Sequence, residues 1–127
     1  MEYGIGREFE ATMEEALERT RAALQREGFG VLFEIDLDEK LREKLGVDFR
    51  RYKILGACNP AIAYQALQEE IGLGLLLPCN VIVYEEGGKS VVAAIDAQKM
   101  MGVTGNEKLA AAAGKVDEML RRVIAGL

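Results

Sequence analysis

The sequence predicts an α+β fold in which helices pack on one face of an antiparallel or mixed sheet. Three observations carry that prediction. Gly87-Gly88 separates two β-branched stretches, the mark of a tight hairpin whose strands must pair antiparallel. Thr12 and Glu15 form a T-x-x-E capping box at the head of a long amphipathic pattern. "GVLFEIDLD" alternates apolar and acidic residues with the period of two of a strand. Helices that need an apolar surface, and a sheet that offers one, give a layered arrangement. The 127 residues, half of them hydrophobic and 29% charged, are read as a single domain over 1–127, long enough to bury a core without disulfides.

Residues 2–9 form the first strand candidate. The helix after it repeats Met13, Ala16, Leu17, Thr20 and Leu24 on one face, gains a Glu15–Arg19 pair one turn apart, and stops at Gly28. Val31, Phe33, Ile35 and Leu37 then alternate with Glu34, Asp36 and Asp38, which predicts a strand with its apolar face on the core and its acidic face in water. A short helix follows, with Leu37, Leu41 and Leu45 in line and Gly46 at its end. "YKILGAC" reads as a strand. Asn59 and Pro60 read as the cap and first position of a helix to about Glu70, with Gly72 as terminator. An apolar strand spans Leu75 to Glu85, its entry at Pro78 pointing to an edge or a bulge. "KSVVAAID" completes the hairpin, and "DAQKMMG" makes one or two helical turns. Asn106 opens a closing helix whose Leu109, Ala113, Val116, Leu120 and Val123 share a face, and Gly114 within it costs about 1 kcal/mol relative to alanine.

Charge and composition narrow the function. A net charge of −5 repels phosphate backbones, so no nucleic-acid partner is expected. The most apolar run, Leu73 to Tyr84, is broken by Pro78 and Asn80 and falls short of the roughly 20 residues of a membrane span. "MEYGIGREFE" has neither a basic leader nor an apolar core, so no signal peptide is expected and the chain is read as cytoplasmic with reduced thiols. The chain has no histidine, which removes Ser-His-Asp and Cys-His catalysis and His-based metal sites. Acid–base work is left to carboxylates, lysines, tyrosines and two thiols. No catalytic residue stands out among them.

Cys58 precedes a predicted helix start, where unpaired N–H groups and the helix dipole favour an anion and lower a thiol pKa. Against that stands the tendency of cysteine to pack as a small buried hydrophobe. Cys79 occupies a similar setting, "PCN" beside "CNP". Twenty residues lie between the two thiols, so they do not match C-x-x-C redox or zinc spacing, although neighbouring strands could bring them together. Two thiolates suit a soft ion such as monovalent copper, and two chains together could offer four to zinc, but no resident metal is expected. Glu34, Asp36, Asp38 and Glu39 fail the EF-hand pattern, since Val47 stands where its last glutamate belongs. "GIG" and "GLG" each lack the third glycine of a dinucleotide fingerprint and no P-loop is present, so no cofactor is expected. Met100 and Met101 read as core packing.

From Gly28 to Tyr84, and above all in the blocks "GACNP" and "LPCN", the chain resembles the domain-of-unknown-function 302 family. The resemblance implies a TATA-binding-protein-like β-α-β(4)-α plan, here with a short helix inserted after the second strand. It brings no DNA binding, because fold does not carry function and the basic surface is missing. It also implies that Cys58 and Cys79, with Asn59, Pro60, Pro78 and Asn80, line a common binding feature. No activity comes with the resemblance.

The reading that follows is a small cytoplasmic binding or sensing module, a homodimer, using Cys58 and Cys79 in reversible oxidation or soft-metal capture. The apolar run Leu73 to Leu77 motivates the dimer. Two alternatives stand beside it. One is a domain that takes a small organic ligand between sheet and helices, with structural cysteines. The other is an enzyme using Glu34 with Tyr52 or Tyr64.

Overall fold

Strand β1 (Gly4–Phe9) leads through Thr12, whose hydroxyl accepts the Glu15 N–H at 3.1 Å, into helix α1 (Met13–Arg26). The computed structural model describes residues Met1–Leu127. Strand β2 (Gly30–Asp36) and helix α2 (Leu37–Leu45) come next, α2 ending on Gly46 in the left-handed conformation. Strand β3 (Tyr52–Cys58) runs into helix α3 (Pro60–Glu69), whose cap is Asn59. After α3 the chain takes a 3-10 turn over Ile71–Leu75, where a terminator at Gly72 was expected. Strands β4 (Cys79–Glu86) and β5 (Lys89–Ile95) flank Gly87 and Gly88, both at positive φ as a primed hairpin turn requires. Helix α4 (Ala97–Gly102) is capped by Asp96, and a 3-10 turn from Asn106 leads into helix α5 (Ala110–Ala125).

The five strands form one antiparallel sheet in the order β1-β5-β4-β3-β2. The α+β expectation therefore holds, and no parallel pair is present. A single hydrophobic cluster joins Leu17 and Leu24 of α1, Ile62 of α3, Met101 of α4 and Leu120 and Val123 of α5 to the inward residues of the strands, among them Leu55, Val81, Val83 and Val92. All five residues expected on the inner face of α5 are buried. No helix is long and apolar enough to cross a membrane.

Three local expectations are corrected. The pairing of β2 with β3 slips between Val31 and Phe33, and such a bulge turns the residues beyond it to the other face. Val31 packs on the core, whereas Phe33 and Ile35 point away from the helices, 38% and 37% exposed. Glu34 faces the helix side instead, held by Arg21 of α1. Second, Pro78 marks no sheet edge: it lies just outside β4, the central strand, so its missing N–H costs the ladder nothing. Third, Leu73 to Leu77 is not a spare apolar strand. Leu73 is buried, Leu76 and Leu77 lean on the core, and Leu75 alone stands out at 92% exposure.

Candidate functional site

The six residues singled out from the sequence divide between two places. At the first, Asn59 caps α3 by accepting the Ile62 N–H at 3.1 Å, and its side-chain amide donates to the Gly28 carbonyl at 3.3 Å. One asparagine thus ties the end of α1 to the start of α3, with Pro60 at the first helical position, where a missing N–H is harmless. Cys58, the last residue of β3, is half-buried beside this cap, and Cys79 pairs across the ladder with its neighbour Ala57. Both thiols are free and line one cavity of about 20 Å³. That is room for one water. A small organic ligand between sheet and helices, as one alternative required, does not fit there.

The electrostatics run against the expected thiolate. Burial pushes the Cys58 thiol above its ordinary pKa. Burial first, and the nearby Cys58 second, push Cys79 up to about 11. Desolvation outweighs the helix dipole here: at the start of α3, Pro60 has no N–H to offer and that of Ile62 is taken by the Asn59 cap. No three His, Cys, Asp or Glu side chains converge anywhere in the chain, so a metal would meet two neutral thiols and little else.

The acid–base alternative is likewise dispersed. Glu34 accepts from Arg21 at 2.7 and 2.6 Å and from Lys53 at 3.3 Å, and the Arg21 hydrogen bonds first, then Lys53, hold its carboxyl below the usual range despite partial burial. Tyr52 projects on the opposite side of the sheet, and Tyr64 is exposed on α3. These three groups share no site.

The second place was not legible as a site. Pro78 and Asn80 border the uncovered face of the sheet, where Pro78 and the Phe33 ring close over Gly56 so tightly that a Cβ there would lie 2.8 and 2.5 Å from them. Strand register arranges this face in rows. Phe33, Gly56 and Asn80 make one, and Ile35, Ile54, Ile82, Ala93 and Gly6 the next. Tyr52, Tyr84, Val91 and Glu8 make the third. Tyr52 and Tyr84 stack with ring centroids 5.4 Å apart and planes at 10°. Burial, then Tyr84 and Tyr3, raise the Tyr52 pKa, so its hydroxyl stays protonated. Beside this stack lies a hollow of about 400 Å³, bounded by Tyr3 and Ile82 and floored by Gly4 and Ala93. In a chain that is 29% charged these rows carry one charge, Glu8, and Lys89 holds it at 3.6 Å. The signal for this face lies in β3, β4 and β5, whose apolar residues are consecutive rather than alternating.

Among solved structures, the crystal structure of an uncharacterized conserved DUF302 protein from Bacillus stearothermophilus is similar, with 31% identity, a TM-score of 0.91 and 98% of each chain covered. None of the curated proteins matches. The family described as Domain of unknown function DUF302 matches residues 5–127, reaching past the Gly28–Tyr84 stretch to take in β1, α1 and α5. The chain belongs to the DUF302 family.

Proposed function

We propose that this protein is a small binding module whose working surface is the uncovered face of its sheet, with Cys58 and Cys79 in packing roles. The observation that carries the reading is a set of nearly charge-free apolar rows on the side of the sheet opposite α1, α3, α4 and α5. On this side Val91 and Ala93 of β5 stand apart from the core cluster, shielded by neighbouring side chains, while Phe33 and Ile35 of β2, on the other half of the sheet, are more than a third exposed. Contiguous apolar surface of this extent marks a place where something binds. A cytoplasmic setting fits two thiols that are free and shielded rather than bridged.

A flat aromatic molecule is the second reading, favoured by the hollow of about 400 Å³ beside the Tyr52–Tyr84 stack. Thiol-based sensing or soft-metal capture has the raised Cys58 and Cys79 thiols against it.

Carbene labelling, read residue by residue by mass spectrometry on protein purified gently at native concentration, tests the reading. Ile54, Ile82, Tyr52 and Tyr84 are expected to label several-fold less than their exposure in a single chain would allow, while Tyr64 labels freely. Open-face residues that label in proportion to that exposure would remove it.

A further inference from the structure

Taking the uncovered sheet face as the working surface, we infer that its occupant is a second copy of this chain, docked face to face about a two-fold axis running along β4. β4 is the middle strand of five, so a two-fold along it lays β1 of one copy over β2 of the other and β5 over β3, while each row stays level with itself.

Under that operation large side chains meet small ones. Ile35 faces Gly6 of the second copy, and Ile54 faces its Ala93. One row along, Tyr52 faces Val91, and in the row before, Phe33 faces Gly4, over which the Met1 side chain of the second copy lies. The hollow of about 400 Å³ over Gly4 and Ala93, rimmed by Met1 and Tyr3, lies on the half of the face that the two-fold sets against Phe33, Ile35 and Ile54. At Gly6 even a Cβ would come within 3.2 Å of the Ala93 Cβ, so that half of the sheet stays flat. An isologous interface demands a surface that complements itself, and a sheet with large residues in the rows of one edge and glycines in those of the other does so about its middle strand. A small ligand would use the hollow and leave the ridge in water.

Size and charge agree. Strand and residue spacings make the face about 24 Å wide and about 20 Å long. With the exposed Tyr3 and Phe49 at its margins the footprint is roughly 500 Å² or somewhat more, the size of a small, reversible interface. The only charge in the rows, Glu8, lies at the β1 edge and already has Lys89, so docking strands no ion at the centre.

The axis makes a prediction that no other occupant shares. Ile82 and Tyr84 lie on β4 and point into the interface, so each meets its own copy. Ile82→Asp and Ile82→Lys are therefore each expected to weaken association at least about a hundredfold, since like charges are forced together in a dry interface. An equimolar mixture of the two should recover the dimer. Sedimentation at micromolar concentration reads all four samples, circular dichroism checks their folding, and Tyr84→Asp with Tyr84→Lys repeats the test if either Ile82 variant unfolds. A monomeric wild type, a dimeric Ile82→Asp, or a mixture of folded variants that stays monomeric would overturn the inference. A monomer whose open face is still shielded from carbene would remove the second copy and leave the working surface standing; a dimer with that face freely labelled would remove both.

Discussion

Replacing Leu55 with alanine is expected to cost about 3 kcal/mol of folding stability, whereas Ile54→Ala, one residue away and only partly buried, is expected to cost about 1 kcal/mol in dilute solution. The asymmetry follows from the two faces of β3. Leu55 is fully buried among helices and strands, so truncation leaves a cavity that the close-packed core cannot fill. Ile54 stands half-buried on the opposite face, where truncation forfeits only part of a buried side chain and leaves no closed cavity. Urea unfolding of both variants at low micromolar concentration checks the difference. Equal losses would mean that the face opposite the helices is packed within the single chain, contrary to the arrangement described here. The full effect of Ile54→Ala belongs to association, where it removes the group that faces Ala93 of the second copy.

Raising the pH should destabilise the fold through Cys79. Its pKa in the folded chain is about 11 against an ordinary 9.0, so the neutral thiol is favoured by folding. Below pH 9 the thiol is neutral in both states and the contribution is fully present; as pH rises, the unfolded chain ionises first and stability is lost through pH 11. Two pH units of difference correspond to about 3 kcal/mol, of which about 2 kcal/mol is gone by pH 11 itself. The stability advantage of the wild type over Cys79→Ala, measured by urea unfolding at pH 8 and pH 11, is expected to shrink by that amount. An advantage that does not change with pH would mean the sulfur is hydrated in the fold.

Local chemistry was legible wherever the chain decides locally. The capping box at Thr12, the Asn59-Pro60 helix start and the Gly87-Gly88 turn each act within a few residues, and each appears as read. The errors lie where tertiary context decides. One bulged residue in β2 reversed the faces of Phe33, Glu34 and Ile35, and an alternating pattern alone does not say which side the helices take. The helix start beside Cys58 was correct, but the sign of the thiol shift depends on how far the strand end is desolvated, a property of the packed chain. Leu73 to Leu77 drew attention by being continuous in sequence, while the larger apolar surface is assembled from five strands that contribute two or three residues apiece.

Fluorine NMR of protein carrying 3-fluorotyrosine tests the working surface most directly, because the four tyrosines divide by place: Tyr52 and Tyr84 on the open face, Tyr3 at its margin and Tyr64 on α3. At high concentration the Tyr52 and Tyr84 resonances are expected to lose their response to exchanging light for heavy water and to regain it on dilution, while Tyr64 responds throughout. Four resonances that respond alike to heavy water at every concentration would contradict the account.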